Sequence, residues 1–211
     1  MKYEALICDL DGTLVRSLPE HRYNVVCAAL KDLGVIASKA DIDMFWFETE
    51  RDTIVIERFG VANEDFWPRY REHDKIDVRA RFTKPYDDVE FLKEVRKKGI
   101  KTGIVTGAPS HILELEVNML GKENFDSIIS AHRLNGIIPK PDPQGLMGCL
   151  NDLKVSQTKA IYLGNGDEDI QTARNAGVFD ILIDRGEYKF PNTNPSMIIK
   201  SLYELKDFLG I

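Results

Sequence analysis

Cysteine is scarce in this sequence and what there is lies scattered: Cys8, Cys27 and Cys149 are the only three. Their spacing matches no metal-binding pair and no disulfide framework, so a reducing compartment is expected. Positive charge is also in short supply. Lys and Arg number 28 against 34 Asp and Glu, a formal net charge of -6. A nucleic-acid binder would normally carry a basic face, and no such partner is expected. No apolar run approaches the roughly 20 residues of a membrane-spanning helix. Met1-Lys2-Tyr3-Glu4 leads straight into a short apolar strand, without the longer apolar stretch of a signal peptide. A cytoplasmic protein with no membrane partner is the expectation. Internal repeats and low-complexity segments are missing too.

What is present suits a soluble globular chain of one core and a second lobe. It has 211 residues, 43% hydrophobic and 29% charged. Ala5-Leu6-Ile7-Cys8 is continuously apolar, as a strand buried on both faces requires. Similar runs recur at Thr102–Val105, Ser127–Ile129, Ala160–Leu163 and Asp180–Ile183. Helical patterns lie between them, over Asp87–Lys98 with Gly99 as the stop and over Ser110–Leu120 with Gly121 as the stop. The expected fold class is therefore α/β: a doubly wound parallel sheet with helices on both faces. A short edge strand near Ser196–Ile199 and a closing helix would complete it.

Residues 15–83 break that rhythm. They read as helical, over Pro19–Leu33, over Asp41–Phe59 before Gly60, and from Asn63 through Tyr70 with Pro68 near the first turn. So much helix between the first two strands is too long for a simple crossover. The expectation is a core of residues 1–14 and 84–211 interrupted by a helical insert, 15–83.

Chemistry concentrates at the strand ends, where open parallel sheets bind ligands. Asp9-Leu10-Asp11-Gly12-Thr13-Leu14 places two carboxylates directly after the first strand, and Gly12 permits a sharp turn. Val105-Thr106-Gly107 ends the second core strand with a hydroxyl and main-chain N–H groups at a helix entrance, a seat for a phosphate oxygen or simply a turn. Lys140 is stiffened between Pro139 and Pro141. Gly164-Asn165-Gly166-Asp167-Glu168-Asp169 ends another strand and opens a helix, where acidic residues also suit the macrodipole. A set of hard oxygen donors with room for water favours Mg²⁺ over zinc.

In that order these segments resemble the four motifs of the haloacid dehalogenase-like hydrolase superfamily, across nearly the whole chain. The helical insert stands where that family carries its cap, and the layout is similar to the phosphoglycolate phosphatase-like branch. The resemblance implies Asp9 as a nucleophile that forms an aspartyl-phosphate. It implies Asp11 as the acid that protonates the leaving oxygen and the base that then activates water. Thr106, Lys140 and the main chain at Leu10 and Gly107 would hold the phosphoryl oxygens. Mg²⁺ would be bound by Asp9, the Asp11 carbonyl, Asn165 and Asp169. The substrate class implied is a small phosphorylated metabolite; oligomeric state is not legible. Dehalogenases proper lack the second aspartate, so Asp11 favours phosphate transfer.

One position departs from the pattern. Asn165 stands where the family places aspartate, and a unit charge pair at ~4 Å is worth roughly 4 kcal/mol at an effective dielectric of ~20. Weaker magnesium binding follows unless Asp167 or Asp169 compensates. In the insert, Arg16, His21 and Arg22 are candidates to face substrate or else hinge and surface residues. Phe45, Trp46, Phe47, Phe59, Phe66 and Trp67 read as insert core. The rival readings are a phosphotransferase or mutase on the same scaffold, a binding protein weakened at Asn165, and phosphonate cleavage by a lysine of the insert (Lys31, Lys39 or Lys75).

Overall fold

The computed structural model describes residues 2–190 and 193–211. Eight strands run in chain order: β1 Ala5–Cys8, β2 Val15–Ser17, β3 Thr83–Pro85, β4 Lys101–Thr106, β5 Ser127–Ser130, β6 Ala160–Gly164, β7 Phe179–Ile183 and β8 Met197–Ile199. The helices are α1 Pro19–Asp32, α2 Lys39–Phe47, α3 Arg51–Ile54, α4 Asn63–His73, α5 Ile76–Phe82, α6 Phe91–Lys97, α7 Ser110–Leu120, α8 Gln144–Leu153, α9 Asp167–Ala176 and α10 Leu205–Leu209. The chain divides into two compact units, Met1–Arg16 with Pro85–Ile211, and Ser17–Lys84. β2 and β3 pair as a two-stranded ribbon at the points where the chain passes from one unit to the other.

The first unit is an α/β core. Its six-stranded sheet has the order β5-β4-β1-β6-β7-β8, and every pairing is parallel. Side chains alternate across β1. Leu6 and Cys8 enter one apolar cluster with Ile104, Leu163, Phe91, Val95 and Leu205. Ala5 and Ile7 enter the opposite one with Val105, Tyr162, Leu146 and Leu150. Both faces of the strand are thus covered, which is why it reads as an unbroken apolar run. Full burial of each Leu or Ile contributes roughly 1.5–3 kcal/mol. The order of strands puts β1 at the centre, and its first residue beyond the sheet is Asp9.

The second unit is entirely helical apart from its ribbon ends. Its core gathers Val26, Leu30, Ile42, Phe45, Val55, Phe59, Phe66 and Tyr70. Phe45 is ringed by Phe59, Phe66, Trp67 and Tyr70, with centroids 5.3–5.8 Å away. The helix expected over Asp41–Phe59 is instead three pieces. α2 ends at Phe47, α3 resumes at Arg51, and a π-helical turn over Val55–Phe59 closes on Gly60 at φ 70°. Asn63 is the first helical residue of α4 rather than its cap, and its side-chain amide donates to the Asp52 carbonyl.

Candidate active site

The first loop is shaped by its main chain. The Leu10 carbonyl accepts N–H groups from Thr13, Leu14 and Val15, and the Gly12 N–H donates to the Val15 carbonyl at 2.7 Å. Gly12 sits at φ 81°, and a Cβ there would lie 2.3 Å from Asn165 Nδ2. Both its conformation and the approach of Asn165 therefore require glycine. Leu10 itself is fully buried and serves the loop through its carbonyl.

This loop sets Asp9 against Lys140. Lys140 Nζ donates to Asp9 Oδ1 at 2.8 Å and to Asp169 Oδ1 at 2.6 Å, and lies 3.5 Å from Glu168 Oε1. The Lys140 and Asp169 side chains are only 3% and 2% exposed, and that of Asp9 6%, so these are desolvated charges whose geometry must be met by partners. Burial pushes the Asp9 carboxyl up to about 7, against the pull of Lys140 and with the push of Asp169. Burial opposes the charge on Lys140, but Asp169 and Asp9 outweigh it and hold its pKa well above the ordinary lysine range. Three carboxylates around one ammonium leave the cluster with a surplus of negative charge.

Thr13 supplies the second hold on Asp9. Its hydroxyl lies 3.1 Å from Asp9 Oδ2 and 3.2 Å from Asn165 Oδ1. A hydroxyl has one proton, so it serves one of these acceptors at a time. Lys140 on Oδ1 and Thr13 on Oδ2 fix the plane of the Asp9 carboxylate.

Asp169 is fixed by hydrogen bonds within the core unit. Oδ1 accepts from Lys140 and lies 3.2 Å from the Tyr162 hydroxyl, and Oδ2 accepts from the Gly166 N–H at 3.1 Å. These contacts make Asp169 the anchor of Lys140. A Cβ on Gly164 would lie 2.2 Å from Asp169 Cγ, so the strand must end in glycine for this aspartate to fold back over it. Asp167 is half-buried and accepts from Gln171 within its own helix at 3.0 Å.

Thr106 is buried at the end of β4, and its hydroxyl accepts the Ala108 N–H at 3.1 Å. It thus fastens the turn, while its hydroxyl proton remains for a second acceptor. Gly107 is exposed in that turn, and Asp11 is partly exposed, bridging to Val15. Arg16 is exposed, with its guanidinium carbon 5.6 Å from the Tyr86 ring. His21 is not brought into this set. It is fully buried in the helical unit, with Nε2 3.0 Å from Asp74 Oδ1 and its ring stacked on Phe82. Arg22 is likewise occupied, donating from Nε to Asp43 at 2.6 Å. The reason is physical: α1 is amphipathic, and both residues fall on stretches that pack inward.

Tyr162, Thr13 and Arg185 escaped sequence reasoning. Tyr162 hides within an apolar strand, yet its hydroxyl joins Asp169 to the Val105 carbonyl at 2.9 Å. Arg185 follows the end of β7, and strand-end position was the one signal that could have found it.

Among the described residues no three His, Cys, Asp or Glu side chains are grouped as a metal site. The oxygens present still fit a hard divalent ion: one buried carboxylate, one amide oxygen facing the same hydroxyl, and a negative surplus.

Comparison with known proteins identifies the family. The sequence model of haloacid dehalogenase-like hydrolases matches residues 6–183. The chain belongs to that family. It is 27% identical to a phosphoglycolate phosphatase of Pseudomonas savastanoi pv. phaseolicola, over 93% of this chain and 76% of the relative. It is 24% identical to an N-acetylmuramic acid 6-phosphate phosphatase of Pseudomonas aeruginosa, over 93% of this chain and 88% of the relative. The crystal structure of a provisionally assigned haloacid dehalogenase-like hydrolase from Bacteroides fragilis superposes with a TM-score of 0.81 at 25% identity, covering 97% of this chain and 100% of that one. The parallel α/β sheet is thus the family's fold, and the phosphatases among its relatives share the chain almost end to end.

Proposed function

We propose that the chain is a Mg²⁺-dependent phosphatase that hydrolyses a small phosphomonoester through an aspartyl-phosphate on Asp9. The observation that carries this reading is the buried Lys140–Asp9 pair, at 2.8 Å, placed where the central strand ends. In the first step an Asp9 carboxylate oxygen bonds to phosphorus as the bond from phosphorus to the leaving oxygen breaks. Asp11 gives that oxygen its proton. In the second step Asp11 takes a proton from water, the water oxygen bonds to phosphorus, and the bond to Asp9 breaks. Lys140, the Thr106 hydroxyl and the Gly107 N–H would meet the charge on the phosphoryl oxygens.

The Asp9 carboxylate, the Asp11 carbonyl, the Asn165 amide oxygen and Asp169 would hold the ion. When bound, Mg²⁺ supplies the positive charge that allows an anionic carboxylate to meet an anionic phosphate. The relatives named for phosphoglycolate and for N-acetylmuramic acid 6-phosphate support a small phosphorylated metabolite as substrate. Selectivity beyond the phosphoryl group is assigned to the helical unit, the family's cap, because Asp9, Asp11, Thr106 and Lys140 concern that group alone.

The test is phosphate release from a panel of phosphorylated metabolites with Mg²⁺ or with chelator, combined with acid quenching to trap phosphorylated protein. Metal-dependent release and a trapped phosphoryl group, both lost in Asp9→Asn, are expected. An isomeric sugar phosphate in place of free phosphate would convert the reading to a mutase.

A further inference from the structure

Arg185 stands two residues beyond β7 with a side chain only 7% exposed, and its guanidinium is engaged on every side within the core unit. Nη2 and Nε donate to the Thr13 carbonyl at 2.7 and 3.3 Å. Nη1 and Nη2 donate to Asp88 Oδ2 and Oδ1 at 2.7 and 3.0 Å. The Tyr86 ring lies 4.0 Å from the guanidinium carbon. Asp88 is fixed in turn by the Leu202 N–H at 2.7 Å and the Ser201 hydroxyl at 3.0 Å. This is a bidentate fork whose second arm reaches the main chain of the first motif.

Thr13 links that fork to the chemistry. The residue is fully buried, and the N–H groups of Thr13, Leu14 and Val15 go to the Leu10 carbonyl and that of Gly12 to the Val15 carbonyl. The Thr13 carbonyl takes its donors from Arg185, while its hydroxyl faces Asp9 and Asn165. The Thr13–Leu14 peptide is thus held on both edges, its N–H by the Leu10 carbonyl and its carbonyl by Arg185, beside the Cα that carries the hydroxyl.

We propose that Arg185 is a positioning residue of the reaction: by clamping the Thr13 carbonyl it sets the hydroxyl that orients the Asp9 carboxylate. Its catalytic half rests on the phosphatase reading, and its conformational half on the hydrogen bonds alone. A lysine cannot replace it, because one ammonium does not present two parallel donors to Asp88 and a third to the carbonyl.

The experiment takes the full chain with Arg185→Met and Arg185→Lys, each checked for folding by circular dichroism and melting temperature. Arg185→Lys keeps the charge in case the methionine variant fails to fold. Amide hydrogen exchange is read over residues 10–15. Phosphate release from p-nitrophenyl phosphate with Mg²⁺ is read in parallel, in wild type, Thr13→Val and the double variant.

Faster exchange confined to residues 10–15 is expected, with kcat lowered about 10- to 100-fold and KM within about twofold. Combined with Thr13→Val, the loss should be no greater than that of Thr13→Val alone, since both act on one hydroxyl. Unchanged exchange over that loop overturns the proposal, as do losses that multiply or a rise in KM with kcat kept. If wild type releases no phosphate, the phosphatase reading fails by itself, and the exchange measurement still decides the clamp.

Discussion

Each unit holds a buried charge cluster, and the two differ in balance. In the core unit one ammonium, Lys140, faces Asp9, Asp169 and Glu168. In the helical unit one carboxylate, Asp74, faces Arg79 and His21: its Oδ1 lies 3.2 Å from Arg79 Nε and 3.0 Å from His21 Nε2, and its Oδ2 accepts Arg79 Nη2 at 2.9 Å. Burial alone would raise the Asp74 carboxyl, but the hydrogen bonds from His21 and Arg79 outweigh it and hold it well below the usual carboxylate range. Asp9 goes the other way, up to about 7. The helical cluster is complete in itself and ties α4, α5 and α1 together. The core cluster carries more negative charge than its lysine neutralises, which is the electrostatic condition for taking up a cation.

Removing a carboxylate from each cluster should separate catalysis from stability. The largest effect expected is on turnover: Asp9→Asn should lower phosphate release by at least about a thousandfold, measured with the best substrate of the panel. The same change, by relieving a negative surplus, should leave the melting temperature in chelator unchanged or higher. Asp74→Asn should do the reverse. It removes the buried carboxylate that accepts from Arg79 Nε and Nη2 and should cost about 3 kcal/mol in denaturant unfolding. If both substitutions destabilise equally, the contrast between the clusters is wrong.

Asn165→Asp adds a charge to the side already in surplus. Magnesium affinity, read by calorimetry, should tighten by roughly tenfold, equivalent to about 1.4 kcal/mol. Without metal the same variant should melt lower than wild type.

The smallest effect concerns pH. The folded value for Asp9 lies above its unfolded value near 4, so the folded state binds the extra proton between about pH 4 and 7. In chelator its contribution to stability therefore falls as pH rises through that window, and Asp9→Asn should flatten the slope. Asp74 has the opposite sign. Its contribution is in place above the ordinary carboxylate range and fades progressively as pH falls from there towards the depressed value, so Asp74→Asn should remove part of the stability loss in acid.

Much of the core was legible because its physics is local or periodic. A strand buried on both faces announces itself as an apolar run, and Asp9, Thr106, Lys140 and Asn165 all lie just past such runs or between prolines. The helical unit was legible in kind but not in its breaks. Nothing in Asp41–Phe59 marks the interruption at Glu48–Glu50, because tertiary packing of Phe45 and Val55 decides it. His21 and Asp169 show what spacing cannot supply. The partners that hold them come from residues 53 and 29 positions away. Arg185 lies 172 positions from the carbonyl it holds, beyond any short-range pattern.

The strand order has a consequence for the nascent chain. β1 leaves the ribosome first, yet its two neighbours in the sheet begin at Lys101 and Ala160. Throughout that interval Asp9 has no sheet to stand on, whereas Ser17–Lys84 is a continuous segment whose partners are all close at hand. Local contacts form sooner than distant ones, so the helical unit is set to fold while translation continues. Asp9 thus precedes the strands that support it and is among the last residues held in place, and a chain released before β6 and Arg185 emerge would carry a finished helical unit and an unsupported Asp9.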